Sequence, residues 1–408
     1  MPYRIVDLEL SEPLPELVPE GVEDGFALVG RWHGRPVGFT LQPVPPGGTL
    51  SPRALRQAVE REFTRKVLAL EVEAELSGRW PHPDPGPAPS LTVAVCTKDR
   101  PQGLARLLES LEVLRPASPF RSLEGLVVDN ASADAATREV VGDFVGVRYV
   151  EEPRVGLDFA RNAALRTAAG DLLAFLDDDV VVDSGWLDGL YAAWSDYPNA
   201  GGYTGLVLPL RLDSSAQIEF ERRGGFGRGF TRIHHRGAKM HNALHPVGVG
   251  VVGAGCNMAF DRRLLDRLGG FDEALDTGAP LPGGGDLDIF YRVIRAGRTI
   301  VYEPGFTVFH EHRETLNQLR RQYWSWGLGF MAFLTKCRRT DPALHPRHSA
   351  MLRWWFVDKT MGFVKASVQL RPGRARMIAA EIRGGIQGLL GEYDRSLERS
   401  RRIREGVA

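Results

Sequence analysis

Short apolar runs alternate with segments of helical spacing through the middle of the chain. Residues 91–96 are continuously apolar, which is typical of a strand buried on both faces. Four leucines between 104 and 111 then recur on one helix face. Further strands are predicted at 126–128, 147–150 and 172–176, and further helices at 135–144 and 158–169. This order predicts right-handed βαβ units and an α/β fold with a Rossmann-like, mostly parallel central sheet.

The flanking segments follow different patterns and divide the chain into parts. Residues 26–29 and 36–41 are β-like runs, and a helical stretch at 51–76 begins with Ser51 as N-cap and Pro52 at its first position. Residues 80–89 contain five prolines, which favours a stiff linker. We therefore predict a small α+β accessory domain at 1–78, a linker at 79–90, an α/β domain at 91–312 and a helical region at 313–408.

Composition narrows the class of protein. The hydrophobic share is 43% and the charged share is 25%, as in ordinary globular proteins, and the zero net charge gives no reason to expect a nucleic-acid partner. The three cysteines lack metal-site or disulfide spacing, which fits a reducing compartment. The N-terminus lacks the pattern of a secretory signal, and the most apolar segment, 247–260, is too short to span a bilayer. We expect a cytoplasmic protein whose membrane contact, if any, is peripheral.

Charge is unevenly distributed along the chain. Residues 313–408 carry 19 Lys and Arg against 8 Asp and Glu, so this region has a net charge of +11 and residues 1–312 have −11. An aromatic-rich amphipathic helix is predicted at 316–334. Two interpretations stay open and are compatible with each other. The basic helices pack on the acidic part of the chain, or they lie on an anionic membrane, on the inner face of the cell membrane.

Polar residues follow three of the predicted strands. The first strand ends before Thr97, Asp99 and Arg100, the second before Asp129, and the fourth before the acidic triplet at 177–179. In doubly wound sheets, ligands bind beyond the carboxyl ends of the strands. These loops contain neither a GxGxxG nor a GxxxxGK[ST] motif, which disfavours a dinucleotide-dependent dehydrogenase and a P-loop NTPase.

The acidic triplet Asp177-Asp178-Asp179 is the most specific chemical signal. Three adjacent carboxylates repel one another, and a hard divalent cation relieves that repulsion. Oxygen ligands favour Mg²⁺ or Mn²⁺, ions that proteins commonly hold with one or two carboxylates and the phosphates of a substrate. The triplet therefore predicts a site for Mn²⁺ or Mg²⁺ with a diphosphate as co-ligand.

Residues 90–312 resemble the family 2 glycosyltransferases, which have the GT-A fold. The resemblance depends on motifs that occur in the order found in the family. They are Thr97, Asp99 and Arg100; residues 127–132; Gly156 with residues 160–162; Phe175-Leu176 with the acidic triplet, which matches the DxD motif; residues 255–260; residues 269–272; residues 285–288 with Arg292; and residues 302–304 with His310.

The resemblance implies roles for particular residues. It implies that the nucleotide sugar is bound by Thr97, Asp99, Arg100, Asp129, Arg161, Asp177 and Asp178. It implies that Asp179 is the main metal ligand, with Asp177 and His310 as further candidates. The donor would be a UDP-, GDP- or dTDP-sugar, and the base is left open.

The acceptor-binding residues and the general base are predicted from two loops. Asn257 lies in a glycine-rich run, where a backbone can approach a sugar closely. Asp286 precedes a predicted helix at 287–296, and a helix N-terminus favours an ionised carboxylate, as a general base requires. We predict Asp286 as the base and Asn257 and Asp288 as acceptor-binding residues, with Asp288 as the alternative base. The family commonly has Glu-Asp where this chain has Gly285-Asp286.

These observations predict an inverting, metal-dependent hexosyltransferase that acts on a glycan or a lipid-linked acceptor, in cell-envelope polysaccharide or glycolipid synthesis. A nucleotidyltransferase is the alternative enzyme, and the absence of a glycine-rich basic loop after the first strand argues against it. A non-catalytic polysaccharide-assembly module on the same fold is the other alternative. The presence of Asp177, Asp179 and Asp286 argues against that module.

Overall fold

The structure is a computed structural model that describes residues 2–21, 23–44, 48–77, 86–237, 243–275 and 281–406. Residues 79–85 of the predicted linker lie outside these ranges. The strands are β1 Tyr3–Glu9, β2 Gly25–Trp32, β3 Arg35–Pro43, β4 Ser90–Thr97, β5 Ser122–Asn130, β6 Val147–Glu152, β7 Leu172–Asp177, β8 Val180–Val182, β9 Gly202–Pro209, β10 Ile233–His235, β11 Asn257–Asp261 and β12 Ile300–His310.

The α-helices agree closely with the periodic segments of the sequence. They are α1 Pro52–Glu62, α2 Thr64–Ser77, α3 Pro101–Leu114, α4 Ala136–Gly142, α5 Leu157–Thr167, α6 Trp186–Asp196, α7 Ser215–Arg222, α8 Arg262–Arg267, α9 Gly285–Arg295, α10 Leu316–Thr340, α11 His345–Val368, α12 Pro372–Gln387 and α13 Tyr393–Glu405. Ser51 caps α1 by accepting a hydrogen bond from the backbone of Ala54. The helical stretch predicted at 51–76 is divided into α1 and α2 at Phe63.

A small sheet of β1, β2 and β3 forms the N-terminal part. β1 pairs with β2 in parallel, and β2 pairs with β3 antiparallel. The Phe63 ring packs directly on this sheet, where a Cβ at Gly30 or Gly38 would lie within 2.7 Å or 2.1 Å of a ring carbon. Glycine at both positions therefore lets the aromatic ring approach the backbone.

The large central sheet has the order β10-β12-β9-β11-β7-β4-β5-β6, and β8 pairs with the end of β12. β7, β4, β5 and β6 are parallel, as the sequence predicts. β11 lies antiparallel between β7 and β9, so the complete sheet is mixed. Thr97 pairs with Asp129 and Cys96 pairs with Asp177, which brings the three predicted strand ends to one edge.

Two apolar layers cover the faces of the central sheet. One layer contains residues of α5, α9 and α10, such as Ala160, Phe290 and Phe333. The other contains residues of α3 and α6, such as Leu107 and Trp186. The two faces are thus covered by different helices, as expected for an α/β domain.

The C-terminal helices pack on the α/β domain through α10. Cβ atoms at Gly327 and Gly384 would lie 2.0 Å and 1.9 Å from backbone oxygens of the opposite helix, so α10 and α12 cross at backbone contact. Lys336 of α10 pairs with both Asp272 and Asp288, at 2.7 Å each. The packing interpretation of the basic region is therefore observed. None of the helices in the described ranges combines the length and the apolar character that a bilayer crossing requires.

Candidate active site

The carboxyl ends of β4 and β7 are joined through the middle residue of the acidic triplet. Asp178 is buried, and it accepts hydrogen bonds from the Thr97 hydroxyl at 2.7 Å and from Arg100 at 2.8 Å. Burial raises the pKa of Asp178, and the positive charge of Arg100 opposes that shift. The predicted nucleotide-binding residues Thr97, Arg100 and Asp178 thus bind one another, and together they fix the loop after β7.

A glycine on α3 completes this arrangement. A Cβ at Gly103 would lie 2.4 Å from the backbone oxygen of Asp178, so only glycine lets α3 approach the acidic loop so closely. The sequence analysis did not assign a function to this residue. Its signal in the sequence is weak, because glycine also occurs in the first turn of helices that make no such contact.

Asp179 has one oxygen that accepts no hydrogen bond from the described residues. This Oδ1 is buried and lies 3.4 Å from Nε2 of His310, while Oδ2 accepts from Arg100 at 3.1 Å. Arg313 approaches Oδ2 to 3.9 Å. Burial alone would raise the pKa of Asp179, but the charges of protonated His310, of Arg100 and of Arg313 hold it below its ordinary value, and at pH 7 the two arginines are the cations that remain. Asp179 is therefore an ionised carboxylate in a positively charged environment.

A hydrogen-bonded chain fixes the orientation of His310. Nε2 of His312 lies 2.7 Å from Oε1 of Glu221, and Nδ1 of His312 lies 3.1 Å from Nδ1 of His310. Because a carboxylate only accepts hydrogen bonds, we assign the His312 proton to Nε2, which leaves its Nδ1 as an acceptor. His310 then donates from Nδ1, and its Nε2 carries a lone pair that faces Asp179. Burial lowers the pKa of His310 to about 4, so this ring is neutral at pH 7.

A lone pair on His310 and an unpaired oxygen on Asp179 face each other across 3.4 Å. Two electron-rich atoms in this arrangement repel unless a cation lies between them, so the pair suits a divalent ion. The described residues contain no group of three His, Cys, Asp or Glu side chains arranged to hold a metal. The predicted third ligand Asp177 instead lies near Arg161, at 3.9 Å. The metal-binding roles predicted for Asp179, Asp177 and His310 stay predictions.

Asp99 and Asp129 lie at the neighbouring carboxyl ends of β4 and β5. Asp99 has a positive φ of 55° and accepts a hydrogen bond from the backbone of Ala133 at 2.7 Å. Asp129 accepts from the Tyr149 hydroxyl at 2.7 Å, and its other oxygen is buried without a hydrogen-bond partner among the described residues. Both carboxylates are thus held in place with acceptor capacity to spare, as binding of a base or a ribose requires.

Arg161 of α5 is buried. It pairs with Asp158 at 3.0 Å and lies over the ring of Phe271 at 5.3 Å. A Cβ at Gly255 would lie 3.2 Å from both the Arg161 guanidinium and Cβ of Asp286, so glycine at this position makes room for both side chains. The guanidinium predicted to bind the nucleotide sugar therefore lies beside the carboxylates of Asp158 and Asp177.

Asp286 lies in the first turn of α9 and is partly exposed. Arg228 donates a hydrogen bond to the backbone oxygen of Gly250 at 2.8 Å. Burial lowers the pKa of Arg228, and nearby negative charges, including that of Asp286, oppose this shift. Arg228 was not among the residues predicted from the sequence. The family's glutamate is absent at Gly285 for a steric reason. A Cβ there would lie 2.1 Å from a carboxylate oxygen of Asp158, which occupies that space.

Asn257 and Asp288, predicted to bind the acceptor, are both enclosed in the protein. Asn257 is completely buried, donates to the backbone of Phe306 at 2.8 Å, and accepts from the Trp186 indole at 3.1 Å. Asp288 is buried and pairs with Arg292 at 2.6 Å and with Lys336. These contacts give both residues structural roles, and they correct the prediction.

Residues 92–268 match the family model for glycosyl transferase family 2. The chain resembles this family over that segment, which is less than half of its 408 residues. The mixed sheet, with its carboxylates at the ends of parallel strands, has the GT-A fold.

Two curated relatives show how far the likeness extends. The chain is 30% identical over 300 residues to the pre-mycofactocin glycosyltransferase of Mycobacterium tuberculosis, a match that covers 72% of this chain and 56% of that relative. It is 28% identical over 247 residues to the succinoglycan biosynthesis protein ExoM of Rhizobium meliloti, covering 58% of this chain and 72% of that protein. The chain thus spans only about half the length of the first relative.

Among solved structures, the mannosyltransferase PcManGT from Pyrobaculum calidifontis, in complex with GDP-Man and Mn²⁺, matches this chain with a TM-score of 0.47. The two chains are 20% identical, and the match covers 79% of this chain and 94% of the mannosyltransferase.

Proposed function

We propose that this protein transfers a sugar from a nucleoside diphosphate to a hydroxyl group of an acceptor, with inversion at the anomeric carbon. One observation carries the proposal: the buried Oδ1 of Asp179 and Nε2 of His310 lie 3.4 Å apart, at the sheet edge where β4 and β5 bring Asp99 and Asp129 together. The family match and the named glycosyltransferase relatives support the same reaction class.

In the proposed complex, Asp179 and His310 would hold Mn²⁺ or Mg²⁺, and a bound ion would supply positive charge for the departing nucleoside diphosphate. Arg100 and Arg313, which both approach Asp179, add positive charge beside the same group. Asp99 and Asp129 bind the nucleoside through their free acceptor oxygens.

Asp286 is the proposed general base. It takes the proton of the acceptor hydroxyl while the acceptor oxygen forms its bond to the anomeric carbon, and the bond from that carbon to the diphosphate breaks. Attack from the face opposite the leaving group gives an inverted product.

Donor binding tests the first half of the proposal. In a thermal-shift screen of UDP-, GDP- and dTDP-sugars with Mn²⁺, the cognate donor at 100 times its Kd should stabilise the protein by about 2.7 kcal/mol. The Asp179→Ala variant should lose the part of this gain that depends on Mn²⁺. If no donor stabilises the parent protein with any divalent ion, the proposed function fails.

Sugar transfer by variants of Asp286 tests the second half of the proposal, the role of this carboxylate as general base. Asp286→Asn should retain donor binding and lose at least about 10²-fold in kcat, since it removes the proton acceptor. Asp266→Asn, an exposed carboxylate on α8, serves as the matched control and should keep the parental rate. NMR of the product would contradict the mechanism if the anomeric configuration were retained.

The acceptor class is proposed to be a cell-envelope polysaccharide or a glycolipid, handled at the inner face of the membrane. ExoM, named as a succinoglycan biosynthesis protein, supports a polysaccharide product. Cell fractionation and radiolabelled sugar incorporation into lipid and polysaccharide fractions would test this assignment.

A further inference from the structure

The C-terminal helices form a groove lined by arginines on the outside of the molecule. The groove lies between α10 and α12 and has a volume of about 640 Å³. Arg320 and Arg321 belong to α10, and Arg376 and Arg383 belong to α12; these four residues define the basic groove. Trp324 contributes an aromatic surface to the lining.

The arginines of the basic groove have no carboxylate partner among the described residues. All four arginines are exposed, and none of them pairs with a carboxylate in the part of the chain that the structure describes. The buried carboxylate of Glu381 on α12 is instead bound by Lys359, at 2.8 Å. Four like charges around one groove repel, so an anion is the occupant that this groove favours. Guanidinium groups match the oxygens of phosphate especially well.

An apolar groove continues directly from the basic groove. It lies between α11 and α12, has a volume of about 480 Å³, and shares Arg376 and Ala379 with the basic groove. Phe363 and Leu370 line it, and the Leu370 side chain is 87% exposed. A ligand surface that spans both grooves must therefore be anionic on one side and apolar on the other.

Charge decides what covers the two grooves. Arg371 lines the apolar groove and adds to the cations of the basic groove. A surface that lies in the interface of an anionic bilayer needs both features, apolar side chains for the acyl boundary and cations for the headgroups. A second copy of this chain would bring the same positive charge to the interface and would be repelled.

We propose that the basic groove and the apolar groove that continues from it dock this protein onto a bilayer that contains anionic phospholipid. The four arginines bind headgroup phosphates, and Phe363 and Leu370 of the apolar groove lie at the boundary of the acyl chains. The contact is made on the bilayer surface and is independent of the proposed transfer reaction, because it uses no residue of the candidate active site.

Flotation with vesicles tests the docking surface in the full-length protein. The parent protein should float with vesicles of 30% phosphatidylglycerol in phosphatidylcholine and remain in solution with pure phosphatidylcholine. Replacing Arg320, Arg321, Arg376 and Arg383 by glutamine should lower the partition coefficient at least tenfold, since each cation near an anionic surface contributes about fivefold. Replacing Phe363 and Leu370 by serine should also lower it.

A matched variant distinguishes the effect of this surface from the effect of a change in net charge. Arg53, Arg56, Arg65 and Arg267 are exposed arginines of other helices, and their replacement by glutamine changes the net charge equally. This control should float like the parent protein. Circular dichroism should show unaltered folding in all variants, and donor turnover on a water-soluble acceptor should be unchanged in the groove variant.

Several results would overturn the proposal. It fails if the parent protein does not float with anionic vesicles, or if the groove variant and the control lose binding equally. It also fails if 10 mM inorganic phosphate removes the parent protein from the vesicles as completely as the arginine substitutions do, which would assign the groove to a free phosphate. A dimer in analytical ultracentrifugation that the serine substitutions dissociate would assign the apolar groove to a second copy.

Discussion

At the scale of single residues, Glu221 has the clearest indirect role. It accepts from His312, which fixes the proton of His310 on the nitrogen that faces away from Asp179. Groups that orient a metal ligand typically change metal affinity by 10- to 100-fold when they are removed. Glu221→Ala should therefore weaken Mn²⁺ binding by about that factor, as measured by electron paramagnetic resonance titration.

The conservative variant distinguishes orientation from packing. Glu221→Gln keeps an acceptor oxygen and should recover most of the lost Mn²⁺ affinity, whereas a purely structural role would not predict such recovery. Glu219→Ala, which removes a carboxylate of the same helix paired with Arg223, should leave the affinity unchanged. Equal Mn²⁺ affinity in the parent and Glu221→Ala proteins would refute the role.

Buried neutral histidines give stability a pH dependence. Burial lowers the pKa of His235 to about 4, below the value of about 6.5 expected in the unfolded chain. The unfolded state then binds more protons between pH 6.5 and pH 4, so the free energy of unfolding falls as the pH falls through that window. His235→Gln should remove up to about 3 kcal/mol of this dependence.

Urea denaturation of the metal-free protein at several pH values would measure the effect. His310 contributes in the same direction, because burial also lowers its pKa to about 4, so part of the slope should persist in the variant. An unchanged slope in His235→Gln would show that this side chain does not titrate as its burial requires.

At the scale of elements, the crossing of α10 and α12 is the most constrained contact. A Cβ at Gly384 would lie 1.9 Å from the backbone oxygen of Trp324, so alanine there must separate the helices. We expect Gly384→Ala to lower the free energy of unfolding by about 1–3 kcal/mol. Gly373, on the same helix with no atom within 4 Å of such a Cβ, is the control, and its replacement by alanine should be neutral or stabilising.

Element-scale prediction from the sequence succeeded where the pattern is local. The strands β4, β5, β6 and β7 and their helices follow from apolar runs and leucine spacing, and their chain order fixes the shared edge. The antiparallel insertion of β11 could not be predicted, because its partners are set by long-range packing.

Contacts between residues that are distant in the sequence also limited the prediction of the candidate site. Residues at strand ends were identified because each follows a strand directly in the sequence. Asn257 and Asp288 were misjudged because their partners, Trp186 and Lys336, are distant in the chain and come close only in the folded protein. His312 lies two residues after the candidate His310, but its role depends on Glu221 of α7, which is distant in the sequence.

At the scale of the whole molecule, ion pairs attach the N-terminal sheet to the catalytic domain. Arg31 bridges Asp7 and the buried Asp183, each at 2.6 Å, and Arg35 binds the buried Glu303 at 2.9 Å. Removal of Arg31 would leave Asp183 as a buried charge that has lost its cation. Arg31→Met should therefore lower stability by about 3–5 kcal/mol.

Differential scanning calorimetry would measure this loss. Arg61→Met removes an exposed pair with Glu62 and should change the Tm little, because surface ion pairs contribute about 0–1 kcal/mol. Equal Tm values for the Arg31 and Arg61 variants would indicate that the N-terminal sheet is attached mainly by apolar contacts, such as those of Val29 with Leu206 and Tyr302.

The space shared by Asp158 and Gly285 has a consequence for how the family can vary. The site at the start of α9 has room for one carboxylate, and here α5 supplies it. A homologue that carries an acidic side chain at position 285 must therefore shorten position 158. We expect the two positions to covary in an alignment of homologues, and a double exchange to be tolerated where Gly285→Glu alone is not.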